Sequence, residues 1–261
     1  MLKYIYLSFF YFVVVVSSAQ TDHLNQFWNQ YDFTKDLSQN WVLEADSGFV
    51  SSSTPDDSNM FHGITQYYLR GWVHYYPFEK WKFSVFISNY SNKNVPELNQ
   101  KESREFRTAL QTTYNVFQSP AVKINLRARF EDRHLQTDEN YMEAVERVRF
   151  QVKGVCPLST LGIKLKKTYI FASDELFFKT KSQVSGPDVF DRNRAMIGCG
   201  FAFSDDFKIE AAYANEIMPR SGTDKLVNAF QVKGIFNNLF YHLSKPFKRE
   251  KNAVDQGEGD L

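Results

Sequence analysis

From Lys123 to Arg133 every second side chain is polar: Lys123, Asn125, Arg127, Arg129, Glu131 and Arg133, with Ile124, Leu126, Ala128 and Phe130 between them. Side chains of a β-strand alternate between the two faces of a sheet, so this run has one apolar and one densely charged face. A soluble sandwich offers the same alternation with its charged face in water. Here the pattern recurs along most of the chain, behind an apolar leader and without a compact helical partner. That combination predicts an all-β, antiparallel, up-and-down transmembrane β-barrel with lipid outside and a polar lumen inside.

The N-terminus reads as an export signal over residues 1–19. Lys3 precedes an apolar stretch from Tyr4 to Val16, and Ser17-Ser18-Ala19 supplies the small residues of a cleavage site. A barrel over 20–244 and a disordered, charged tail over 245–261 are expected to follow. Export past a Gram-negative inner membrane implies the bacterial outer membrane and its lipid as surroundings. The net charge of +1 gives no overall field for nucleic acid. Mean hydropathy of −0.43 excludes a helical membrane protein but not a barrel, in which alternate residues are polar. Cys156 and Cys199 fall on non-adjacent predicted strands and are expected to be free.

Strand-like segments run over Phe27–Thr34, Trp41–Val50, Ile64–Tyr76, Trp81–Tyr90, Glu105–Phe117 and Val122–Arg133. They continue over Val145–Val155, Leu161–Phe171, Arg192–Phe203, Phe207–Glu216 and Val227–Phe236. Short connections (Lys35–Asn40, Pro77–Lys80, Gln118–Ala121, Cys156–Thr160, Ser204–Asp206) alternate with long polar ones. The long ones are Ser51–Gly63, Ser91–Arg104, His134–Ala144, Ala172–Asp191 and Ile217–Leu226. Short periplasmic turns opposite longer external loops are the known asymmetry of outer-membrane barrels.

Eleven segments is an odd number, whereas bacterial single-chain barrels have an even one. The sequence therefore leaves about 10–12 strands open. Either Phe27–Thr34 is not part of the wall, or a twelfth strand such as Leu239–Ser244 completes it.

Aromatics amount to 16% of the chain and are expected to form two interfacial girdles. Trp41, Tyr76, Phe78, Trp81, Phe117, Phe203, Phe207 and Phe236 fall near the short turns. Phe49, Tyr67, Tyr90, Phe106, Phe130, Tyr169, Phe171, Phe190 and Tyr213 fall near the long loops.

Strand parity assigns a charged set to the lumen: Glu44, Asp46, Arg70, Glu105, Arg107, Lys123, Arg127, Arg129, Glu131, Arg147, Arg149, Arg192, Arg194, Lys208 and Glu210. Lys164 and Lys166, on the strand Leu161–Phe171, belong to the same inward set. An Arg or Lys facing lipid at mid-depth costs about 2–4 kcal/mol, so turning the Lys123–Arg133 stripe outward would cost on the order of 10 kcal/mol. Glu146 and Lys167 break the parity and are expected at a rim or beside a bulge. Gly198 and Gly200, on the inward parity, are expected to make room for Arg192 and Arg194. Charges of both signs in a small barrel predict a salt-bridged, occluded lumen. They leave open a pocket or passage for a small anionic solute or a lipid headgroup.

Catalytic chemistry finds no spacing to support it. His23, His62, His74, His134 and His242 are scattered, and there is no G-x-S-x-G, metal-ligand pair, phosphate-binding loop or dinucleotide fingerprint. No enzyme activity, cofactor or metal is expected. An outer-membrane acyl hydrolase or deacylase, and a secreted soluble barrel carrying an apolar ligand, are the alternatives.

Three features carry a resemblance: Glu146-Arg147-Val148-Arg149-Phe150 opening a central strand, Phe190-Asp191-Arg192-Asn193-Arg194 followed by Gly198-Cys199-Gly200-Phe201, and an early Trp28…Trp41 hairpin. Across nearly all of the mature chain they resemble an uncharacterised family of Bacteroidetes-type exported proteins, a domain of unknown function regarded as outer-membrane barrels. The resemblance implies the barrel and brings no activity with it.

Overall fold

A computed structural model of the chain describes residues 21–95, 100–161, 167–220 and 223–238. The wall begins with β1 (Thr21–Asp36), β2 (Trp41–Ser52), β3 (Gly63–Phe78), β4 (Trp81–Asn92), β5 (Ser103–Gln118) and β6 (Lys123–Gln136). It continues with β7 (Met142–Pro157), β8 (Thr168–Lys179), β9 (Phe190–Ala202), β10 (Phe207–Met218) and β11 (Asp224–Asn237). Each strand pairs with its sequence neighbours, and β1 closes on β11, so every strand of the barrel is paired on both edges. Closure leaves no free edge, the condition a strand must meet inside a bilayer.

The odd number has a geometric consequence. Ten antiparallel pairings leave β1 and β11 pointing the same way, and they pair in parallel from Thr21↔Asp224 to Thr34↔Asn237. The expectation of an antiparallel barrel therefore fails at this one seam. Phe27–Thr34 belongs to a full wall strand, and β1 enters the wall at the long-loop rim. Leu239–Ser244, the signal segment, the charged tail, Lys164 and Lys166 lie outside the described residues.

Period-two burial runs around the wall. In β4 the residues alternate exposed and buried from Trp81 to Tyr90, and β3 and β5 repeat the pattern about their bulges. The outward positions are apolar at mid-height: Leu69, Ile87, Leu110 and Ile197 are each about 60% exposed, at 62%, 59%, 61% and 63%. Inward positions include Arg70, Arg129, Glu131, Arg149 and Lys233, all nearly inaccessible. A water-soluble protein would present the opposite distribution.

The eighth strand is displaced from its expected place. Pro157 ends β7, Leu158–Leu161 form one 3-10 turn, and β8 starts at Thr168, not Leu161. The stretch Ala172–Lys179, expected as loop, is wall, and the β7–β8 connection is much longer than the short turn expected there. Lys167, with φ 70°, sits in that connection and not in a strand, which explains its break of parity. Glu146 is outward and exposed, opposite Asp132 in the register.

The girdles are thinner than expected. Trp41, Phe78, Trp81, Phe117 and Phe203 are exposed near the short turns, and Tyr67, Phe106, Phe130 and Tyr213 are exposed on the outer face. Tyr76, Tyr90 and Phe171 are buried in the lumen instead, and Tyr169 donates its hydroxyl inward to Glu210 at 2.5 Å. Ring position along a strand was legible, but inward parity overrides it. Gly198 and Gly200 make room for these rings, not for arginines: a Cβ at Gly198 would strike Phe171, and one at Gly200 would strike Tyr169. Cys156 and Cys199 are free.

Candidate functional site: the ionic lumen

The lumen is filled in three tiers. At the short-turn end, Asp32, Glu44 and Asp46 come from the facing hairpin β1–β2, where Asp32 pairs with Asp46. Their ligand oxygens approach within 4.8 Å of one another. Each also faces a neutralising or donating partner. Lys233 lies 2.5 Å from Asp32, Arg70 lies 2.5 Å from Asp46, and His74 lies 3.2 Å from Glu44. Gln30 and the Trp72 indole add donors to Asp32 and Asp46 at 2.6 and 2.7 Å. These contacts make the trio part of an ionic lattice.

At mid-height the register of β6 and β7 places Arg129 opposite Arg149 and Glu131 opposite Arg147. Glu131 receives Arg149 at 2.9 Å and Arg147 at 2.6 Å, with Arg129 at 3.5 Å. Glu175 accepts two bonds from Arg149, at 2.8 and 2.9 Å, and one from Arg127 at 2.7 Å. Arg129 also donates to Gln111 at 2.7 Å and lies over the Trp72 ring at 5.0 Å. Bidentate guanidinium–carboxylate pairs of this kind fix geometry as well as charge. Glu131 and Glu175 have almost no accessible surface, and Phe86 and Phe177 beside them are equally enclosed.

The third tier faces the long loops. Arg107 binds Glu105 through Nε at 2.5 Å and Nη2 at 2.9 Å, and Arg133 reaches the same carboxylate at 2.6 Å. Asp191 meets Arg147, Arg192 and Arg220 at 3.5, 3.2 and 3.1 Å. Glu216 meets Arg192 and Arg194 at 3.0 and 2.5 Å. Aromatic faces back the guanidiniums: Arg107 lies 3.6 Å over Tyr90, Arg149 4.4 Å over Phe177, and Arg194 4.9 Å over Trp28. Above this tier the lumen opens into a cavity of about 300 Å³, and beyond it a mouth of about 1020 Å³.

The structure thus brings Arg127, Arg129, Glu131, Arg147 and Arg149 into one network, and Glu105, Arg107, Arg192 and Arg194 into the tier above it. Glu44, Asp46 and Arg70 form the lower tier. Lys208 and Glu210 sit nearby on β10, and Lys123 is half-buried at the short-turn end of β6. Glu175, Asp191 and Phe177 are central, and sequence reasoning missed them. All three fall in Ala172–Asp191, the stretch expected as a long loop; an acid and a Phe on both parities, as Asp174–Glu175 and Phe177–Phe178, hide the alternation that would have marked a strand.

One hydrogen-bond chain has the residue types of a hydrolase relay: Ser84 to His74 Nδ1 at 2.8 Å, and His74 Nε2 to Glu44 at 3.2 Å. It faces the lumen, Ser84 and His74 are buried, and the two cavities open to the long loops do not reach it. The outer face carries two apolar grooves of about 680 and 490 Å³, lined by such residues as Phe33, Val73 and Ile87 and by Phe83, Leu110 and Phe130.

A search of curated proteins finds no match. Among solved structures, a bacterial polysaccharide outer membrane secretin aligns over 76% of this chain at 13% identity with a TM-score of 0.49, and the chain spans 64% of that structure. The NanC porin aligns over 82% of this chain and 97% of its own at 9% identity, TM-score 0.48. The β-domain of the Bordetella autotransporter BrkA aligns over 78% and 86% at 9% identity, TM-score 0.47. These likenesses concern the barrel wall alone. Residues 25–227 match the model of the protein family of unknown function DUF2490, and the chain belongs to that family.

Proposed function

We propose that this protein is an integral outer-membrane barrel with a passive role, structural or transporting, whose lumen is held shut at mid-height by the Arg127–Arg129–Arg149 and Glu131–Glu175 layer. The observation that carries the reading is the pairing of an apolar exterior with an ionic interior so enclosed that Glu131 has 0% accessible surface. An open water-filled pore would leave its lining charges wet. Among the described residues the interior is dominated by paired charges, which does not suit a greasy cargo, and the relay at His74 is turned away from lipid.

Fractionation and planar-bilayer recording test this together. The expected result is a heat-modifiable protein recovered with outer membranes, which inserts into bilayers without steady conductance. Recovery as a detergent-free soluble monomer would remove the membrane reading. A large constant conductance in the unmodified protein would remove the closed lumen while leaving the barrel in place.

A further inference from the structure

In the upper tier six guanidiniums, from Arg107, Arg133, Arg147, Arg192, Arg194 and Arg220, share three carboxylates: Glu105, Asp191 and Glu216. Glu131 below takes a further contact from Arg147, yet Arg129 and Arg149 already hold it. Positive charge is therefore in excess where the cavity of about 300 Å³ begins. Arg133 and Arg192 line both this cavity and the wider mouth above it. Among the described residues the contact of Arg133 with a carboxylate is made through Nε, to Glu105 at 2.6 Å. A guanidinium is always charged and offers a planar fork of donors to phosphate or carboxylate oxygens.

We propose that this cup binds a small soluble anion carrying two or more negative charges on phosphate or carboxylate groups, entering from the long-loop side. The inference rests on the membrane-barrel reading only for which side is outside. Three considerations support it. Low-dielectric walls around like charges focus a positive potential into the cleft. Excess buried cation is costly, and a multivalent anion offsets that cost. The volume lies at the small end of ligand pockets, about 300–1,000 Å³, which favours a compact solute. A lipid headgroup has the same chemistry, but a continuous wall of eleven strands separates the cup from the bilayer.

The test uses the full chain folded in detergent and titrated with inorganic pyrophosphate by calorimetry, with the change in intrinsic tryptophan fluorescence as a second readout, because Arg194 covers the Trp28 ring. The expected result is saturable binding that Arg133→Gln weakens at least tenfold and Lys123→Gln, at the opposite end of β6, leaves unchanged. Heat-modifiable migration verifies that each variant is folded. Chloride at matched ionic strength should not compete. Absence of saturable heat, equal affinity in Arg133→Gln, full competition by chloride, or binding of a diphosphorylated lipid in mixed micelles but not of pyrophosphate would each overturn the proposal. Because binding is read in detergent, its failure is separate from failure of the membrane reading, which fractionation alone decides.

Discussion

Leu110→Arg places the sharpest demand on the orientation of this barrel. Leu110 is 61% exposed on the outer face and lies midway along the 16-residue strand β5. At ~3.4 Å per residue and a tilt of ~40°, that strand rises roughly 40 Å, which puts Leu110 about 20 Å from either end. This is the middle of a hydrocarbon core about 30 Å thick. An arginine facing lipid at the midplane costs about 2–4 kcal/mol and about 0–1 near an interface, so the folding equilibrium should fall roughly 30- to 900-fold. Val116→Arg, outward on the same strand but close to its short-turn end, should lose less than tenfold. The assay is reversible urea unfolding from phospholipid vesicles, followed by intrinsic fluorescence. If Leu110→Arg stays within about 0.5 kcal/mol of the parent, as an ordinary water-exposed substitution does, the outer face does not meet lipid and the reasoning fails.

Glu175→Gln removes the shared acceptor of Arg127 and Arg149 and leaves buried charge uncompensated. It should cost about 3–5 kcal/mol in the same unfolding assay, while the outward Asp174→Asn stays within about 1 kcal/mol. Similar midpoints for the two would mean that the mid-height layer holds nothing together. Gly48→Ala drives a Cβ into the Asn29 carbonyl and the Tyr68 ring and should destabilise by about 1–3 kcal/mol. Gly154→Ala meets nothing within 4 Å and should be neutral or stabilising by about 0.4–1 kcal/mol; the reverse order would contradict the β1–β2 packing. In the β2–β3 loop, the Asn59 amide and then the His62 ring hold the Asp57 carboxyl below the usual carboxylate range. A depressed carboxylate contributes order above its unfolded value and loses it as pH falls through the folded one. The protection factor of the Asn59 amide, 2.9 Å from Asp57 Oδ1, taken relative to the intrinsic exchange rate at each pH, should therefore fall in acid, and a protection factor independent of pH in the parent would count against the turn.

The Lys123–Arg133 stripe was legible because strand periodicity is a local property: the side-chain period of two fixes which residues share a face. Lipid energetics then decide which face turns inward, and no other chain segment needs to be known. The same logic placed Glu105, Arg107, Arg147, Arg149, Arg192 and Arg194 on inward parity. It did not reach most of β8, because Ala172–Asp191 reads as a loop: Asp174–Glu175 and Phe177–Phe178 give each parity the same chemistry, and the 3-10 turn after Pro157 shifts the strand's start by several residues. It failed also for Tyr76, Tyr90 and Phe171, because nearness to a strand end says nothing of direction.

Sequence alone determined the alternation, the apolar exterior and the stock of lumen charges, since each follows from neighbours along one strand. Tertiary structure decided the rest. The parallel β1–β11 seam depends on how eleven strands close. The sharing of Glu175 between Arg127 and Arg149, and of three carboxylates among six arginines, depends on stagger between strands far apart in the chain. Charge partners across a barrel are set by register and shear, which no local pattern encodes.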